Sequence, residues 1–310
     1  MPGGRLFDAY LAVDWSARNL PSPARPSADA LWVGEYPAPD SGTAPETYWR
    51  TRHRCIAHVR GRLLHHVAAG RRVLLGFDFP YGYPAGYAAA LALPEPAAPW
   101  RRLWDALAGL ITDDACNGNN RFTVAATLNA RCGGPRPGPL WGCPRAAQTP
   151  HLAPTSPAYP FVTPRGPLLA RTRHVEQRIG GHIQPCWKLL GTGSVGGQAL
   201  VGIPRMVALR DDPALAAISR VWPFETGFGP DPLAGAAPGI LHAEIWPGIV
   251  PGPLDASVPV RDQAQVRAVV QWMAALDATG DLGSRFVPPA GLTRAALAQC
   301  VAEEGWLLGA

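Results

Sequence analysis

The chain has 310 residues, 47% of them hydrophobic and 16% charged, with 34 Gly and 35 Pro. That composition supplies a packed core for one large domain or two modest ones, and it excludes a disordered chain. No apolar run reaches the ~18 residues of a membrane span; Met1 to Asp8 lacks a charged-then-apolar leader pattern, so a cytoplasmic protein without membrane contact is expected. The net charge of +5 arises in residues 1–155, with 16 Arg against 11 acids, while residues 156–310 balance 12 basic against 12 acidic side chains. The excess peaks at 50–72, where seven Arg occur without an acid. Such a segment attracts a polyanion or a phosphate-bearing ligand, or is a solvated helix face. The cysteines (Cys55, Cys116, Cys132, Cys143, Cys186 and Cys300) form no Cys-x-x-Cys pair and read as reduced thiols.

In chain order, Tyr10-Leu-Ala-Val-Asp14 is a short apolar run ending in an acid and predicts a buried first strand. Residues 18–30 read as a loop, and Ala30–Tyr36 as a second strand antiparallel to the first. Thr47 to Gly70 reads as a helix with Ile56, Val59, Leu63, Leu64 and Val67 on one stripe. His53, His58, His65 and His66 lie on it and read as surface or partly buried side chains. Arg72–Asp78 is another buried strand ending in an acid, followed by the rigid turn Phe79–Pro84. Pro99 to Ile111 predicts a helix with proline at its start. Residues 131–170 carry little periodicity, which suggests a lid or binding loop. A short helix is expected around Arg171–Arg178, then the glycine-rich Gly191–Gln198 and mostly apolar residues to Leu209. Leu241–Pro247 reads as a core strand bearing Glu244. Asp262–Asp277 is an amphipathic helix with Val266, Val269, Val270, Met273 and Leu276 on its apolar stripe, and Thr293–Glu303 a last short helix.

Three core strands thus carry a carboxylate at or near their ends, Asp14, Asp78 and Glu244, and a helix opens with a fourth, Asp262. Ligands of open α/β sheets bind at the C-terminal edge of the strands. Clustered carboxylates repel, and a divalent cation with a preference for hard oxygen donors, Mg²⁺ or Mn²⁺, compensates them. The bland alternative is a set of turn-formers and helix caps. Gly191-x-Gly-Ser-x-Gly-Gly197 offers backbone amides to a phosphate, or is a tight turn between packed elements; it lacks the Gly-x4-Gly-Lys-Ser/Thr pattern. Trp222-Pro-Phe-Glu225 and Phe79-Pro-Tyr81 read either as a stacking wall for a ring or as ordinary packing.

The Leu11–Asp14 strand, Gly76-Phe-Asp78-Phe-Pro80, Ala243-Glu244-Ile-Trp-Pro247 and the Asp262-led helix together resemble the RNase H-like superfamily, and within it an uncharacterised bacterial family of predicted nucleases. Gly193–Gln198, Trp222–Glu225 and Glu303-Glu-Gly-Trp306 resemble a subgroup. The resemblance implies an α/β fold, an RNase H-like mixed sheet flanked by helices. Its core would be residues 1–90 and 238–310, with a large Pro/Gly-rich insertion at 91–237 as lid or specificity region. It implies Asp14, Asp78, Glu244 and Asp262 as catalytic metal ligands, although Gln263 stands where such families often have a second small or acidic residue.

The expected activity is a Mg²⁺- or Mn²⁺-dependent phosphodiester hydrolase, nuclease-like, acting on nucleic acid or a small phosphorylated compound. Candidate ligand contacts are Ser16, Arg50, Arg54, Arg173, the lone lysine Lys188, Ser194 and Gln198. The alternatives are an ATP-dependent phosphotransferase of the actin/sugar-kinase branch, suggested by Tyr10–Ser16, and a non-catalytic ligand-binding member of the fold.

Overall fold

Six consecutive buried residues, Ala9–Asp14, form β1, and β2 (Leu31–Tyr36) returns antiparallel beside it in the register Val13↔Val33. The computed structural model describes residues 4–37, 46–181 and 183–310. β3 (Glu46–Trp49) adds antiparallel to β2, so the helix expected from Thr47 starts later. Thr51 caps α1 (Arg52–Ala68), its hydroxyl accepting the Arg54 N–H at 3.4 Å. β4 (Arg72–Phe77) then runs parallel to β1, with Val13↔Phe77 paired.

After a single helical turn, α2 (Tyr87–Ala90), come α3 (Pro99–Leu110) and α4 (Arg121–Cys132). The small hairpin β5 (Phe161–Val162) and β6 (Leu168–Leu169) lies in the irregular stretch, followed by α5 (His174–Ile179). α6 spans Val195–Arg210 despite Pro204. β7 (Ser219–Val221) and β8 (Gly239–Glu244) complete the sheet, followed by α7 (Arg261–Thr279), α8 (Arg294–Gln299) and a π-turn over Cys300–Glu304.

The result is a mixed six-stranded sheet in the order β3-β2-β1-β4-β8-β7, flanked by helices. Side-chain alternation divides it into two packed faces. Leu11, Val13, Leu75 and Phe77 meet α1, α3, α4 and α6 on one side. Tyr10, Ala12, Leu74 and Ile245 meet α7 on the other. Buried residues of α3, α4 and α6 share one continuous core with β1 and β4, and β7 is a strand of the main sheet, so much of segment 91–237 is built into the core. No described helix is long and apolar enough to cross a membrane. The cysteines are unpaired, and all but Cys116 are buried.

The basic segment 50–72 is not a free cationic face. Arg52 pairs with Asp113 at 2.6 Å, Arg60 with Asp212 at 2.6 Å, Arg62 with Glu35 at 2.7 Å and Arg72 with Asp231 at 2.5 Å. Every one of these acids comes from another part of the chain. Glu35, on β2, also meets buried His66 at 2.9 Å, and these partners hold its carboxyl below the usual range against the opposing effect of burial.

Candidate active-site cleft

The pairing of β1 with β4 sets the centre of the site. Asp14 ends β1, and Asp78 follows β4 by one residue. The Asp78 N–H donates to the Val13 carbonyl at 3.2 Å, and the Trp15 N–H donates to Asp78 Oδ1 at 2.7 Å. The first bond carries the strand register one residue on, the second ties the Asp78 side chain to the exit of β1, and together they hold Asp78 beside the end of the strand that bears Asp14. Asp262 stands in the first turn of α7, its Oδ2 accepting the Asp29 N–H at 2.7 Å. All three line one cleft of about 700 Å³, together with Ser16, Gly191–Val195 and Gln198.

Among the described residues, no basic side chain hydrogen-bonds to any of these three carboxylates. The proton affinities show the consequence. Burial first, then the neighbouring Asp78, Asp262 and Asp29, push the Asp14 carboxyl well above the usual carboxylate range. Burial, with Asp262 adding to it, raises Asp78 to about 7 even though the Trp15 N–H opposes the shift. Asp262 is raised by burial in the same sense. Arg18, Arg121 and Arg261 line the cleft without bonding to these carboxylates, and hard oxygen donors that lack a bonded cation suit a hard divalent ion in donor chemistry. Among the described residues no group of three or more His, Cys, Asp or Glu side chains is arranged to hold a metal ion. The fit is therefore to an ion held by one or two carboxylates and otherwise by water and substrate, which is how Mg²⁺ is usually bound.

Glu244 does not join this set, which corrects the four-carboxylate expectation. The β4–β8 register pairs it with Phe77 rather than Asp78, so its side chain leaves the sheet from the opposite face. Arg173 takes both its oxygens, at 2.6 and 2.8 Å, and the Tyr81 N–H adds a bond at 2.9 Å. Arg173 is in turn the capping residue of α5. Its Nε donates to Glu176 at 2.7 Å and its Nη1 to the Glu304 carbonyl at 2.9 Å. Fully buried and fully bonded, Arg173 has no donor left for a phosphate. This ion-pair cluster walls a neighbouring apolar pocket of about 220 Å³, which shares Asp78, Gly193 and Val195 with the cleft.

The remaining expected contacts divide. Ser16 donates from its hydroxyl to the Asp29 carbonyl at 3.1 Å, and Gln198 donates from Nε2 to the Trp15 carbonyl, which ties α6 to the exit of β1. Ser194 is the residue before α6, and its side chain makes no capping bond. Lys188 does not line the cleft; it donates to the Thr192 carbonyl at 2.9 Å and braces the glycine-rich turn. Arg50 donates to the Ser22 carbonyl at 2.8 Å and Arg54 is exposed; neither lines the cleft.

The second half of the glycine-rich segment is a packing device. A Cβ at Gly196 would sit 2.2 Å from the Cys186 carbonyl oxygen, and one at Gly197 2.5 Å from that of Leu189. The first turn of α6 is thereby pressed onto the 186–189 backbone, and Gly191–Val195 are held at the cleft. The expected lid does not cover it: no residue of 131–170 lines the cleft. Nor do Trp222–Glu225 form a stacking wall, since Trp222 is buried and Phe224 stacks on Trp100 at 4.9 Å.

Sequence reasoning passed over Arg121, which lines the cleft as the first residue of α4. It lies where hydrophobic periodicity is weak; the available signal was the polar turn Asn117-Gly-Asn-Asn120 directly before a helical run. Comparison of the chain with protein-family models, curated proteins and solved structures gave no match.

Proposed function

We propose that the protein is a divalent-metal-dependent phosphodiester hydrolase of RNase H-like fold, acting on a compact phosphorylated compound. The observation that carries this reading is the Asp14–Asp78 pair: two buried carboxylates on adjacent parallel strands, facing a cleft, with raised proton affinity and, among the described residues, no basic side chain bonded to them. The mixed sheet flanked by helices, with an early strand aspartate beside a later one, supports the fold assignment. Asp14 and Asp78 would hold Mg²⁺ or Mn²⁺, with Asp262 at the rim. The ion would supply an activated water and offset charge on the phosphate oxygens.

The chain's own groups do the remaining work. The Trp15 N–H fixes the Asp78 carboxylate, and Gln198 fixes the Trp15 carbonyl, so the pair is oriented before substrate arrives. The N-terminus of α6, pressed into place by Gly196 and Gly197, faces the cleft with the positive end of its dipole, which favours an anionic ligand. Ion-pairing of Arg52, Arg60, Arg62 and Arg72, four of the seven arginines of 50–72, interrupts the basic track, which favours a small phosphorylated compound over nucleic acid.

The test is release of p-nitrophenol from bis(p-nitrophenyl) phosphate with Mn²⁺. The reading predicts turnover abolished by EDTA, by Asp14→Asn and by Asp78→Asn. Turnover that survives either substitution in correctly folded protein contradicts it.

A further inference from the structure

Arg121 is only 6% exposed, yet among the described residues no carboxylate hydrogen-bonds to it. Its Nη1 donates to the amide oxygens of Asn19 and Asn119, the latter at 2.9 Å, and both are neutral acceptors. Its Nε is buried with no acceptor at all. One face of the guanidinium lies over the Phe122 ring at 4.3 Å, which removes water from that side.

Three costs fall on this one cation. Burial without a counter-ion is the first. The second is Arg52, close enough to disfavour a second positive charge; burial foremost, then Arg52, lower Arg121 to about 10. The third is position, because Arg121 opens α4 at the end where the helix dipole already favours negative charge. Asp113, the acid that neutralises neighbouring Arg52, offers no relief. It is shared by Arg52 at 2.6 Å and Arg205 at 2.9 Å, so two guanidinium groups already claim it. A buried cation retained against all three costs implies an anion that the described residues do not supply. Its surroundings limit where that anion sits. Arg121 lines the same cleft as Asp14, Asp78 and the first residue of α6, Val195.

We propose that Arg121 is the anion receptor of the cleft, its guanidinium fork taking oxygens of a phosphate group while the start of α6 supplies the opposing positive end. The proposal rests on the reading of the cleft as a site for a phosphorylated compound, but phosphate capture by Arg121 requires no metal. The planar fork matches a tetrahedral oxyanion in a way that a lysine ammonium does not. Arg121 is thus a specificity determinant: it selects ligands with a doubly accepting anionic group, whereas a neutral ester of the same size gains nothing from it.

The experiment is calorimetric titration of inorganic phosphate into the metal-free full-length chain in EDTA. It compares the wild type, Arg121→Gln, Arg121→Lys and the control Arg25→Gln, an exposed position outside the cleft. The expected result is one phosphate per chain, with Arg121→Gln weakening binding about 10- to 100-fold. Arg121→Lys falls between, and Arg25→Gln matches the wild type. Thermal unfolding without phosphate separates a receptor from a structural role. Removing an uncompensated buried cation leaves Tm unchanged or raised, whereas removing a structural brace lowers it. Equal phosphate affinity in wild type and Arg121→Gln, no phosphate binding by the wild type, or a markedly lower Tm for Arg121→Gln each overturns the proposal. Phosphate binding through Arg121 in a protein that binds no Mn²⁺ would retire the hydrolase reading and leave the anion site standing. Metal-dependent turnover indifferent to Arg121 would do the reverse.

Discussion

Asp78→Asn isolates the electrostatic strain in the cleft. The folded protein holds the Asp78 proton up to about pH 7, against 3.8 in an unstrained chain. The folded pKa is raised, so the stability lent by that proton is fully present below about pH 3.8 and is lost as the pH rises through about 7. The ionised carboxylate therefore costs the metal-free protein about 4 kcal/mol at pH 8 and under about 1 kcal/mol at pH 4. Asparagine has the same shape, keeps an oxygen for the Trp15 N–H, and does not ionise. Asp78→Asn is thus expected to be more stable than wild type in EDTA at pH 8, by about 6 °C in Tm for a chain of this length. The gap should nearly close at pH 4. Adding Mn²⁺ at pH 8 should raise the wild type and leave the variant unmoved. Thermal unfolding followed by circular dichroism at both pH values measures all of this. A variant less stable than wild type at pH 8, or a gap independent of pH, refutes the claim that unneutralised charge is stored at Asp78.

Two further substitutions separate structural charge from site charge. Arg173→Met strands Glu244 and Glu176 in a buried setting, and is expected to lower unfolding free energy by about 3–5 kcal/mol in a urea titration; a loss under about 1 kcal/mol would argue against a buried bridge. Gly196→Ala drives a methyl group against the Cys186 carbonyl, and should cost about 1–3 kcal/mol through displacement of the α6 start. An unchanged Tm for that variant would contradict the close packing of α6 on residues 186–189.

The central strands were legible in the sequence because their signals are local. Tyr10–Asp14, Ala30–Tyr36 and Arg72–Asp78 are apolar runs between polar turns, and each occurs as a strand within a residue or so of its expected limits. The Asp262-led helix was equally plain from its stripe. β3 was absorbed into α1 because Thr47–Trp49 continue its apolar spacing, and only the Thr51 cap marks the boundary. α6 was hidden by Gly196, Gly197, Gly202 and Pro204, residues unfavourable to an isolated helix; the three glycines sit where a Cβ would collide with neighbouring atoms. At the site, Asp14 and Asp78 were foreseeable as strand-end acids. The fate of Glu244 was not, because it turns on a one-residue register difference and on Arg173, 71 positions away. Arg121 escaped notice for a related reason: its distinction is the lack of an acidic partner, which only the folded chain reveals.

The most direct test of the whole account is calorimetric titration of Mn²⁺ into the metal-free protein at pH 8. Binding that is lost in Asp14→Asn and Asp78→Asn, weakened in Asp262→Asn, and accompanied by proton release is the predicted result. Mn²⁺ affinity unaffected by Asp14→Asn would contradict it.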